Sequence, residues 1–179
     1  MQQTTKPAEQ IGLVIERLID APASLVFRVW TSPEHMARWL GPKDFTSHSI
    51  RMDFRPGGAW SAIIRSPEGE EYPMGGTYRE IVENDRIVFT FRWTEEDGPD
   101  TLVTVTVDDL GTRTRLTFAQ TPFDTTESRD SHAEGWGECL DRLVAYILQN
   151  QASGGTNEED LSRQLPLRRH PLRMRARLR

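Results

Sequence analysis

The chain has 179 residues, 36% hydrophobic and 27% charged, the proportions of one soluble domain with room for a loose end; folding about 150 residues would bury roughly 68–70% of the unfolded surface, enough for a core without disulfides or a structural metal. One cysteine, Cys139, excludes an internal disulfide, and with no charged-then-apolar leader in MQQTTKPAEQ and no apolar run of about 18 residues, a cytoplasmic protein that is neither exported nor membrane-spanning is expected. The net charge of −5 is uneven: residues 1–150 hold 15 Lys and Arg against 24 Asp and Glu, a balance of −9, and residues 151–179 hold 7 against 3, a balance of +4, which disfavours nucleic-acid binding by the main domain and leaves any such role to the tail.

A β-branched run from Leu13 to Ile19 predicts a first strand, ended by Asp20 and Pro22. Two short helices follow. The first carries Leu25, Val26, Val29 and Trp30; the second has Thr31 or Ser32 as N-cap, Pro33 in its first turn and Met36, Trp39 and Leu40 as its apolar stripe, and Gly41 and Pro42 stop it. From Phe45 to Gln120 the pattern changes to period two, with turns at Arg55–Gly58, Ser66–Gly69, Glu83–Asp85, Glu95–Pro99 and Asp109–Thr112. With the first strand this makes about seven antiparallel strands. A last helix from about Thr125 to Gln149 has Trp136, Leu140, Leu143 and Ile147 on one face and Glu138, Asp141 and Arg142 on the outer one. The domain is expected over residues 11–149. Residues 150–179, with SGGTNEED and then two prolines and alternating arginines, read as a linker and a disordered basic tail whose spacing of two does not form an amphipathic membrane helix.

This order predicts an α+β layout, an antiparallel sheet with one apolar face covered by one long helix. A twisted sheet curling around a single helix is incompletely filled, and the gap becomes a pocket lined by aromatic side chains with a few polar groups. The segments FRVWTSPEHMARWLGP, GGAW, GTYREIVENDRIVFTFRW, TRLTFAQTPF and HAEGWGECLDRLVAYI occur in this order over about residues 11–149. They resemble the START-like SRPBCC superfamily, and within it the bacterial homologues of the activator of heat-shock-chaperone ATPase. The resemblance implies a helix-grip fold, with a curved seven-stranded sheet around the C-terminal helix and a hydrophobic ligand cavity between them. It implies little about function, because members bind lipids and hormones, cyclise polyketides or act as chaperone partners.

The side chains expected on the pocket wall are Trp39, Trp60, Tyr78, Phe89, Phe91 and Phe118, joined from the last helix by Trp136, Cys139 and Leu140 and, as polar groups, by His48 and His132. For Trp39 and Trp60 the placement follows from the resemblance, which puts their elements at the cavity entrance. His132 and Trp136 sit four apart on one helical face, so His132 either caps and packs the helix start or acts as an acid or base with Glu134. His48, sharing a strand face with Ile50 and Met52, is either a pocket group or a satisfied core histidine. Gly135 and Gly137 each cost about 1 kcal/mol relative to Ala inside a helix, which predicts close approach of the sheet, or of a ligand, to the backbone there. Cys139 reads as an inert buried thiol rather than a nucleophile.

No catalytic motif is present. The histidines and the cysteine lack the spacing of a metal site, and neither a G-x-S-x-G elbow nor a glycine-rich phosphate loop occurs. No metal, cofactor or catalytic residue is therefore expected. The leading expectation is non-catalytic binding of a small hydrophobic or amphipathic ligand, a lipid among the classes considered. The alternatives are a stress-response chaperone cofactor that stimulates a heat-shock chaperone's ATPase, and a cyclase or hydrolase working through His132, His48 or Glu134. Expected partners are the ligand and, under the second reading, the chaperone, with homodimerisation open.

Overall fold

The computed structural model describes residues 10–153. The order is β1 (Ile11–Ile19), α1 (Ala23–Arg28), α2 (Pro33–Met36), β2 (Thr46–Met52), β3 (Ala59–Arg65), β4 (Glu71–Val82), β5 (Arg86–Trp93), β6 (Thr101–Asp109), β7 (Thr114–Phe123) and α3 (Thr126–Ser153). All seven strands form one antiparallel sheet in the order β1-β7-β6-β5-β4-β3-β2. The connections from β2 to β7 are all between sheet neighbours, and β1 closes the other edge by pairing with β7. The curved sheet around α3 is the expected helix-grip arrangement. The expectation for the basic tail lies, from residue 154 onward, outside the described residues.

Period-two alternation puts Trp60, Ala62 and Ile64 of β3, Phe89 and Phe91 of β5, Val103, Val105 and Val107 of β6, and Leu116 and Phe118 of β7 in the buried core. Against them α3 lays Trp136, Leu140, Leu143 and Ile147, the last three completely covered. At β4 the sheet needs a residue without a side chain, because a Cβ at Gly76 would overlap the Thr90 carbonyl oxygen. Among the described residues no helix is long and apolar enough to cross a membrane.

The two short helices pack on the sheet, α1 against β6 and β7 and α2 against β2. Ser32 caps α2 by accepting the His35 N–H at 3.3 Å, with Pro33 in the first turn, and Trp30 and Trp39 meet edge-on at 4.6 Å beneath it. Helix α2 is tied to α3 by His35 Nδ1 and the Tyr146 hydroxyl, 2.8 Å apart. Burial, with Arg28 adding to it, lowers the His35 pKa from 6.5. The folded state therefore favours neutral His35. As pH falls below 6.5 the unfolded chain takes up this proton more readily, so the contribution to stability is present above that value and is lost towards the lower, folded pKa. Thermal unfolding midpoints measured between about pH 7.5 and pH 5 are expected to fall more steeply for the native chain than for His35→Phe, which keeps a ring against Tyr146 but cannot titrate.

Candidate functional site

Where α3 starts, the helix does not fill the curl of the sheet. The space left is a half-open cavity of about 380 Å³ between the Leu40–Pro42 loop, the inner faces of β3 to β5 and the first half of α3. Its buried lining is apolar: Leu40, Ile64, Met74, Phe91, Trp136 and Cys139. Towards solvent it is bordered by Tyr72, Trp93, Glu96, Ser128, Ser131 and His132. The rings interlock mostly edge to face, Phe91 lying 5.2 Å from Trp93, 5.8 Å from His132 and 6.0 Å from Trp136. Behind Trp136 lies a second void of about 10 Å³, walled by Trp30, Trp60, Tyr78 and Phe89 among others.

Two of the titratable groups of the cavity, His132 and Cys139, are already partnered. His132 Nδ1 donates to the Ser128 carbonyl oxygen at 2.8 Å, and the Trp93 indole N–H, which can only donate, reaches His132 Nε2 at 3.1 Å. Those two bonds define one neutral tautomer and leave neither nitrogen free for proton transfer. The Cys139 thiol lies 3.5 Å from the Trp39 carbonyl, and its sulfur accepts the Gly41 N–H at 3.3 Å. Burial pushes its pKa up to about 12, against the weaker opposing effects of the Gly41 bond and Arg142, so it is an inert thiol. Among the described residues no three His, Cys, Asp or Glu side chains come together in a metal-binding group.

Four of the residues expected at a ligand site, Phe91, His132, Trp136 and Cys139, line the cavity. Trp60, Tyr78 and Phe89 lie one layer deeper, around the small void. Trp39, Phe118 and Leu140 border neither space and are fully buried. For Trp39 this corrects the expected place at the entrance: its indole is turned inward and donates to the Val29 carbonyl at 3.0 Å.

His48 is also corrected. The register between β2 and β3 slips between His48 and Arg51, where Ser49 takes a left-handed backbone with φ of 53°. Met52 pairs with Trp60 on the inner face, but His48 pairs with Ile63, so the bulge reverses its parity and turns it out of the cavity. There His48 joins Ser49 Oγ and Glu71 Oε1, each at 2.9 Å. The carboxyl of Glu71 is held below its usual range by Arg65 first and His48 second. The connectivity is that of a serine triad, but Nδ1 faces the serine and the cavity lies elsewhere. Glu134 is exposed and is not part of the cavity lining.

The sheet reaches the helix glycines only at Gly137, whose carbonyl oxygen accepts from the Arg17 guanidinium of β1 at 3.2 Å, and no sheet backbone crowds either one. A Cβ at Gly135 would meet only Pro42 Cγ, at 3.8 Å, and one at Gly137 only an Arg17 nitrogen, at 3.9 Å. Gly135 instead opens onto the cavity. The outward reading of α3 is corrected too: Glu138 accepts the Lys43 N–H at 2.8 Å, and Arg142 Nη1 donates to the Gly41 and Pro42 carbonyls at 2.8 and 3.1 Å.

Several lining residues were not foreseen. Trp93 continues the Phe89–Phe91 alternation and was legible as cavity wall from that alone. Tyr72 and Met74 face Ile64 and Ala62 across the β3–β4 pair, so a register would have found them. Pro42, Glu96 and Ser131 carry no periodic signal.

The family described as Activator of Hsp90 ATPase homolog 1-like protein matches residues 20–147. No curated protein matches the chain. Among solved structures, a protein from Nitrosomonas europaea is 27% identical, with 79% of this chain and 97% of that one covered and a TM-score of 0.69. One from Chromobacterium violaceum is 27% identical over 75% and 95% of the two chains, with a TM-score of 0.68. One from Silicibacter pomeroyi shares the fold at 22% identity, 78% and 99% coverage and a TM-score of 0.70.

Proposed function

Since the chain belongs to the Activator of Hsp90 ATPase homolog 1-like family and its own fold leaves a cavity under the long helix, we propose that it binds a small hydrophobic or amphipathic ligand without transforming it. The observation that carries this reading is the half-open, aromatic-lined space of about 380 Å³, within the range of ligand pockets, whose histidine has both nitrogens engaged. An acid–base site needs a proton carrier within reach of the substrate, and His132 offers none without giving up a bond.

Gly135 provides the test. Gly135→Ala adds a methyl group in ordinary contact and should stabilise the fold by about 0.5–1 kcal/mol through helix propensity. Gly135→Leu should fill the cavity and abolish thermal shifts produced by apolar and amphipathic compounds. If no such compound shifts the native chain in native mass spectrometry or thermal scans, or if Gly135→Leu leaves the shifts intact, the cavity is not a binding site.

The family match supports a second reading, a chaperone cofactor. Stimulation of the ATPase of the source organism's heat-shock chaperone by the purified chain supports it, and no effect removes it.

A further inference from the structure

Four ionisable side chains line the cavity: Tyr72, Glu96, His132 and Cys139. Three of them bring no formal charge. The Tyr72 hydroxyl donates a hydrogen bond to Glu70 at 2.6 Å, which raises its pKa and keeps it a phenol; His132 is held in its neutral tautomer by two bonds; Cys139 stays a thiol. Glu96 is left as the single charge, a carboxylate on the β5–β6 connection with no ion-pair partner among the described residues. No lysine or arginine lines the space. Arg142, which reaches the loop wall, is turned to the loop's own carbonyls, and Lys43, the residue after Pro42, is exposed and outside the lining.

Two exposed or half-buried aromatic side chains border the same cavity as Glu96. Tyr72 and Trp93 meet edge-on with centroids 6.3 Å apart, Tyr72 is 38% exposed, and the Glu96 N–H is bonded to the Trp93 carbonyl oxygen at 3.3 Å. Aromatic faces next to a carboxylate attract an ammonium group through the ring quadrupole and the charge together. A fatty acid entering head outward would meet repulsion from Glu96 and find no cation in the lining. We infer that the cavity selects a cationic amphiphile, an aryl- or alkyl-ammonium compound whose apolar body lies between Phe91 and Trp136 and whose ammonium group rests at the mouth beside Glu96, Tyr72 and Trp93. This rests on the ligand-binding reading above and specifies its ligand class.

Phenylbutylamine, phenylbutanol and phenylbutanoate share one apolar body and differ in the head group, so calorimetric titration of the full chain with all three isolates the head. The amine is expected to bind about fivefold tighter than the alcohol and the carboxylate weakest. Glu96→Gln should bring the amine to within about twofold of the alcohol while leaving the alcohol unchanged. Glu83→Gln, the same charge change at the β4–β5 turn, should leave the preference in place, which separates a local site from the general pull of an acidic surface. Equal binding of alcohol and amine, tighter binding of the carboxylate, or an amine preference that survives Glu96→Gln overturns the inference while leaving the cavity a ligand site. Absence of binding by all three overturns both.

Discussion

Trp136→Ala is expected to lower the unfolding free energy by about 3–5 kcal/mol, the range for removing a large buried aromatic side chain. The thermal midpoint should fall by roughly 10 °C. Trp136 is only 8% exposed, lies 4.4 Å from Phe118 and 6.0 Å from Phe91, and forms the partition between the open cavity and the void behind it. Its removal joins the two spaces, and the fully covered Trp30 and Phe118 rings beneath cannot move far enough to refill the gap in a close-packed interior. Trp136→Phe keeps a ring against Phe118 and should cost less than half as much. Guanidinium denaturation of the two variants beside the native chain measures both quantities. A loss below about 1 kcal/mol for the alanine variant would mean that the start of α3 is not seated on the sheet through this residue.

The contrast between Trp136 and His48 shows what was readable from the chain. Alternation and the spacings of four, three and four placed Trp136, Leu140, Leu143 and Ile147 against the sheet because burial enforces those periods. The same rule misplaced His48, because one left-handed residue, Ser49, shifts the parity of everything before it. The positive φ at a serine has no sequence signature comparable to an Asn-Gly turn. The cavity was legible as a consequence of one helix under a strongly curled sheet, but its mouth was not. Glu96 and Pro42 sit on connections, where no period exists, and the aromatics divide into lining and packing only through where the helix ends its cover. Trp39 and Trp93 show this: both are aromatic, yet Trp39 is sealed in the core and Trp93 borders solvent.

Arg142, expected on the solvent face of α3, holds a cavity wall in place. Its Nη1 donates to the carbonyls of Leu40, Gly41 and Pro42 at 3.4, 2.8 and 3.1 Å. The loop reaches that position through a left-handed Gly41, φ 110°, where a Cβ would sit 3.2 Å from that of Phe45 and 3.4 Å from Arg142 itself. Two further bonds, Gly41 N–H to Cys139 and Lys43 N–H to Glu138, hold the amides but leave the carbonyls to Arg142. Arg142→Met keeps the apolar stem and removes every donor, so the carbonyls lose a charged partner; a stability loss of about 2–3 kcal/mol is expected. Arg142→Lys should recover less than half of this, because an ammonium group on a shorter, flexible stem is not held where the planar guanidinium places Nη1. The decisive readout is local. Hydrogen exchange at Gly41 and Lys43 should accelerate in Arg142→Met well beyond the change at core amides such as Val105, since the wall opens without global unfolding. In Glu138→Gln, which keeps the carbonyl bonds, Gly41 should stay protected. Uniform acceleration across the chain would show that Arg142 supports the fold as a whole, and unchanged exchange at Gly41 would show that it holds nothing there.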